Sequence, residues 1–154
     1  MTAPSREASR LGQFSWALFD WANQPFFTVV TTFIFAPYFA TRMIGDAVQG
    51  QAAWANLIAV SGVTIAVLSP FLGAMADAAG QRKPYLLVFQ ALTCLGCALL
   101  WLALPGRQDL MLWVMAGIVL ATIGAEFSIV FNNSLLPGLV PSSHIGRWSG
   151  IDRK

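Results

Sequence analysis

The sequence predicts an all-α membrane protein with four transmembrane helices, and three observations carry that expectation. Of the 154 residues, 56% are hydrophobic and only 10% are charged, against about 25% charged in a soluble domain. The mean hydropathy is +0.64. The charges are clustered, which leaves four apolar windows of the roughly 20 residues that a hydrocarbon core requires. A net charge of +2, dispersed along the chain, gives no footprint for nucleic acid.

Residues 1–13 read as a cytoplasmic tail that precedes the first span, at about 14–39. Asp20, Asn23, Gln24 and Pro25 interrupt this span, which is too long and too polar for a secretory signal. The second span, about 52–76, carries no charge. Its small residues Ala55, Ala59, Gly62, Ala66, Ser69 and Gly73 recur at three- and four-residue spacing, a pattern that lets helix backbones approach closely. Pro70 is placed to bend it. The third span, about 84–106, is also uncharged, and the fourth, about 110–131, has Glu126 as its single charge. Residues 141–154 read as a short cytoplasmic tail.

With the N-terminus inside, Arg6, Arg10, Arg82, Lys83, Arg147, Arg153 and Lys154 are cytoplasmic, and only Arg42 and Arg107 are outside. That asymmetry satisfies the positive-inside rule. Tyr38, Trp54, Trp101 and Trp113 flank the outer ends of the spans, and Trp16, Tyr85 and Trp148 the inner ends, as polar-edged rings prefer.

Two acids lie within spans. Asp20 sits about six residues in, at a depth of roughly 9 Å. At helical spacing it shares a polar face with Asn23, Gln24, Thr28 and Thr31. Glu126 shares its face with Thr122 and Asn133, at a similar depth counted back from the inner end of the fourth span near Asn133. Ionisable groups inside a span are expensive and belong against a bundle interior or a water-filled cavity. Asp20, Asn23, Gln24, Glu126 and Asn133 are therefore the candidates for a substrate or proton pathway. Cys94 and Cys97 fall in mid-membrane and read as packing residues. His144 has no ligand partners nearby, so no metal site is expected. With no nucleophile–base pair, phosphate loop or zinc spacing, the sequence predicts neither an enzyme nor a cofactor.

The turn between the second and third spans has charges where local helix physics disfavours them. Asp77 lies at a helix C-terminus, already partly negative, and Arg82 and Lys83 open the next helix, whose N-terminus is positive. Such charges serve something outside their own helices. Gly73 and Gly80 bracket the turn and make the two spans antiparallel neighbours.

The pattern Gly73-x-x-x-Asp77-x-x-Gly80-x-Arg82-Lys83 resembles the signature loop of major facilitator superfamily transporters. The run Trp16 to Asn23 followed by Pro25-Phe26-Phe27 resembles the vacuole-effluxer-like (autophagy-related permease) branch. So does Phe131-Asn132-Asn133-Ser134-Leu135-Leu136-Pro137 followed by Gly146-Arg147 and Ser149-Gly150. The resemblance runs from about Phe14 to Gly150. It implies four helices corresponding to the first third of a twelve-helix major facilitator fold, an N-terminal fragment whose partners are the missing C-terminal helices. It also implies a secondary active transporter for a small solute such as an amino acid, proton-coupled and working by alternating access. With no organelle signal visible in the sequence, a bacterial plasma membrane is the expected location. Asp77 and the basic pair would then set conformational balance by contacting the other half. Ala78 and Gln81 depart from the pattern, since basic residues are usual there. Two other readings fit the same spans: a self-contained four-helix oligomeric exporter, and a non-transporting membrane remnant or subunit.

Overall fold

In the computed structural model, residues 10–139 are described, with only the backbone of Ala79 and of 137–139. Four helices in this stretch are long and apolar enough to cross a membrane, and among the described residues there is no strand. Residues 1–9 and 140–154, which include His144, Arg147 and Trp148, lie outside them, whereas residues 10–13 of the expected N-terminal tail are helical.

The first span runs Arg10–Ile44. It is α-helical over Arg10–Pro25, then winds as wide π turns over Phe26–Phe33 and Phe39–Ile44, with a short α segment, Phe35–Tyr38, between them. Proline supplies the reason. Pro25 and Pro37 have no N–H, so the i→i−4 ladder loses a donor at each. Beyond Pro25 the chain closes wider rings instead, and the Ile34 N–H reaches the Val29 carbonyl, five residues back, at 3.0 Å.

The second span, Ala47–Ala79, starts on a strong cap. Asp46 accepts from the N–H groups of Val48 (2.9 Å) and Gln49 (2.8 Å), placing negative charge at the positive end of the helix dipole. The helix continues unbroken past Gly73 and Pro70, which narrows the expected turn. Gly73 lies inside the helix, because the following Ala-Met-Ala-Asp-Ala-Ala contains good helix formers. The chain turns only at Gly80, whose φ of +62° is the left-handed conformation that ends helices.

The third span is α-helical over Lys83–Leu99 and tightens over Leu100–Leu102. The fourth, Met111–Leu139, is the hub: 61% of its apolar window is buried, against 17% or less in the others. One cluster, Phe39, Met43, Trp54, Leu57, Ala103, Val114 and Ile118, joins all four spans at one end. A second, Ala76, Phe89, Ile123, Phe127 and Phe131, joins the second, third and fourth near the other. Phe89 lies 4.8 Å from Phe127 and 5.6 Å from Phe131, ring centre to ring centre.

The third and fourth spans approach each other closely. A Cβ on Gly96 would stand 2.5 Å from the Ala121 nitrogen, and one on Gly124 2.6 Å from the Thr93 nitrogen. Glycine is required where backbones meet this closely. The small-residue stripe of the second span plays no such part. All six of its residues are exposed, and a Cβ on Gly62 or Gly73 would meet nothing within 4 Å. The second span packs through its opposite face instead, with Trp54, Leu57 and Ala76 turned inward.

Aromatic placement divides the same way. Trp101 and Trp113 are exposed, as an interfacial ring should be, but Trp54 and Trp16 are buried in packed clusters. Large rings carry enough apolar area to be drawn into a core when a neighbouring helix presents a cleft.

Candidate functional site

The charged turn is held by Arg82. Its Nη2 donates to the Asp77 carboxylate at 3.0 Å, and its Nη1 donates to the Ser134 carbonyl on the fourth span. The guanidinium thus sits near the C-terminal ends of two neighbouring helices, where positive charge is favoured. The charge is unfavourably placed for its own helix and favourably placed for the second and fourth. An open cleft of about 580 Å³ lies here, lined by Ala76, Asp77, Gly80, Gln81, Lys83 and Leu135 among others. A flexible ammonium cannot make both contacts with the geometry of a planar fork. Arg82→Ala should therefore speed amide exchange in the last described turns of the fourth span about tenfold, since a hydrogen bond from a charged donor contributes roughly 1.5–3 kcal/mol. Arg82→Lys should recover only part of that protection. Hydrogen-exchange mass spectrometry of the 131–136 segment checks both.

The first span meets the fourth at two levels. Near its start, the Trp16 indole Nε1 donates to the Asn132 carbonyl at 2.8 Å, and the Asn132 amide donates back to the Trp16 carbonyl at 3.5 Å. Further along, Phe26 packs with Ala121 and Ala125, and Cys97 of the third span joins them. Asp20 and Asn23 lie on the same buried face between these levels, 6% and 4% exposed.

The expected polar face therefore divides. Asp20 and Asn23 point into the packed side, whereas Gln24 and Thr28 are exposed and Thr31 is half-buried. Within the α-helical part, Asn23 and Gln24 fall on either side of Asp20, and the packed side takes Asn23. Beyond Pro25 the wider winding shifts the register, so α-helical spacing no longer stacks Thr28 and Thr31 on Asp20. The threonine hydroxyls turn back to their own helix, Thr28 to Gln24 and Thr31 to the Phe27 carbonyl. Glu126 is half-buried in the fourth span, Thr122 is buried and bonded to the Ile118 carbonyl, and Asn133 is exposed. Asn132, rather than Asn133, takes the buried position.

Sequence reasoning did not single out Ser128 or Gln90. The Ser128 hydroxyl is fully enclosed, and neither it nor the buried Gln90 Oε1 has a hydrogen-bond partner. A serine between Ala125 and Phe131, or a lone glutamine in an apolar run, gives little signal before the helix faces are known.

Four apolar helices, with a charged turn between the second and third, define a multi-pass membrane protein. A family model described as "Vacuole effluxer Atg22 like" matches residues 40–148, and the chain belongs to that family. It is 29% identical over 134 residues to an uncharacterized MFS-type transporter, YxiO, of Bacillus subtilis (strain 168). That similarity covers 85% of this chain and 31% of the relative, so the chain spans about a third of the relative's length. No solved structure matches.

Proposed function

We propose that this chain forms the N-terminal part of a secondary active transporter for a small solute, with an amino acid as the first substrate class to examine. Transport is proton-coupled and proceeds by alternating access, with Asp20 and Glu126 as the groups that take up and release protons. The observation that carries this reading is the burial of Asp20 on a packed transmembrane face, in a chain belonging to a transporter-like family. An ionisable group at such a position is costly and is characteristic of ion pathways. In this reading Asp77, Gly80, Arg82 and Lys83 act on conformational balance, and Asn23, Gln24 and Asn133 contribute to the solute pathway. The protein lies in a bacterial plasma membrane with its N-terminus in the cytoplasm.

A site enclosed between two rocking halves needs helices beyond these four. The 154-residue chain, purified and reconstituted alone in liposomes, should therefore give no saturable proton-driven uptake across an amino-acid panel. Saturable uptake above empty liposomes would replace the proposal with a self-contained oligomeric exporter. Orientation has its own test. Single cysteines placed at Gln49 and Gln81, in a background lacking Cys94 and Cys97, should react with impermeant reagents from opposite sides of the membrane. Labelling of both from one side would overturn the topology.

A further inference from the structure

We propose that Arg82 is a latch on the bond between Trp16 and Asn132: the charged turn must release Ser134 before the first span can release the fourth. Two neighbouring elements hold the end of the fourth span by its backbone carbonyls. The Trp16 indole of the first span donates to the Asn132 carbonyl at 2.8 Å. The Arg82 guanidinium of the charged turn donates to the Ser134 carbonyl. Residues two apart on an α-helix stand about 200° apart around its axis, so the two holds fall on opposite sides of one turn.

That turn is weak on its own. Pro137 lies four residues beyond Asn133 and has no N–H, so the Asn133 carbonyl loses its ladder donor. Asn132, Asn133 and Ser134 are weak helix formers in succession. The Ser134 hydroxyl also turns back to the Phe131 carbonyl at 2.7 Å, where it competes with the ladder. External bonds therefore supply order that the local sequence does not.

The two holds are also joined by packing. Trp16 and Leu136 form a buried cluster with Leu135 against it, and Leu135 lines the cleft that Arg82 borders. One residue thus adjoins both attachments.

Helix ends open at far lower cost than cores, and here unwinding proceeds inward from Pro137. It must pass Ser134 before it reaches Asn132. A bond that keeps Ser134 helical therefore lowers the population in which Asn132 is unwound by its full factor, although Arg82 touches neither Asn132 nor the first span. The coupling runs through a shared order–disorder step and needs no displacement of rigid helices. It deepens the reading that the charged turn acts on conformational balance by naming what that turn controls in this chain. It stands on hydrogen bonds within the chain, so it is testable apart from transport.

The readout is exchange of the Trp16 indole N–H with solvent, followed by NMR of isotope-labelled tryptophan in the chain in lipid nanodiscs. Trp16→Phe identifies the signal. Arg82→Ala should speed this exchange about tenfold, by the same factor as the amides of residues 131–136. Trp54, buried in the cluster at the other end, should keep its rate. Pro137→Ala returns a donor to the Asn133 carbonyl and should slow Trp16 exchange about fivefold. This change favours the helix, so it decides the question even where Arg82→Ala fails to fold. Faster amides in Arg82→Ala with an unchanged Trp16 rate would mean that the two attachments open independently. An unchanged Trp16 rate in Pro137→Ala would mean that Trp16 lets go without unwinding of the helix end. Equal acceleration at Trp54 would mean general loosening. Any of the three overturns the latch, and none is altered by the outcome of an uptake assay.

Discussion

Gly124→Val should separate the third and fourth spans without preventing their insertion. A Cβ at this position meets the Thr93 nitrogen and Oγ1 at 2.6 Å and the Phe89 carbonyl at 2.7 Å. Two of these atoms belong to backbone and cannot rotate away, so the helices must move apart. Separation forfeits the dispersion contacts that hold apolar helices together in lipid, where no hydrophobic force operates between them. The loss should be about 3 kcal/mol, the upper end for overpacking. Gly96→Val should act alike, against the Ala121 nitrogen at 2.5 Å. Gly73→Ala, where a Cβ meets nothing, should be neutral in this chain. Unfolding in mixed micelles, followed by tryptophan fluorescence, ranks the three. Equal stability of Gly124→Val and Gly73→Ala would refute the close third–fourth contact.

Neutralising Asp20 or Glu126 should abolish proton-driven accumulation in the transporter to which this chain is proposed to contribute. An amide keeps the size and hydrogen bonding of the acid but cannot take up and release a proton. Asp20→Asn and Glu126→Gln should insert normally and bring solute only to equilibrium, whereas Asp20→Glu should retain part of the gradient-driven uptake. Uptake in proteoliposomes under an imposed pH gradient, beside counterflow without one, distinguishes lost coupling from lost binding. Normal accumulation in both neutral variants would make the acids structural and move coupling to other residues.

The four spans were legible because apolar length is a property of composition, and composition survives any error in register. Depth was legible for the same reason, since Asp20 must be several residues inside the first span whatever its neighbours. Faces were less legible. Pro25 and Pro37 change the winding of the first helix, and a fixed angular step carried through Thr28 and Thr31 accumulates error. The small residues illustrate a different limit. Gly62 and Gly73 have the spacing of a contact seam, but spacing cannot say which helix is available to fill it. The contact was made at Gly96 and Gly124, on two different helices, where it becomes visible only after they are paired. The charged turn was half legible: the dipole mismatch pointed outside the helices, but Ser134 as the receiver on the fourth span could not be read from position alone.

The clasp between Trp16 and Asn132 joins groups 116 residues apart, and it has a consequence for the order of assembly. At roughly 5–20 residues per second of synthesis, Asn132 emerges about 6–23 s after Trp16. For that interval the first span has entered the membrane but lacks its closing bond, and Asp20 has no fourth helix to lie against. A newly made chain must therefore shelter an acidic helix for seconds, at the translocon or beside another membrane protein, before its fourth span arrives. A quality-control system that samples unpaired polar groups in the bilayer would meet this chain first at Asp20, and would lose sight of it once the fourth span had docked.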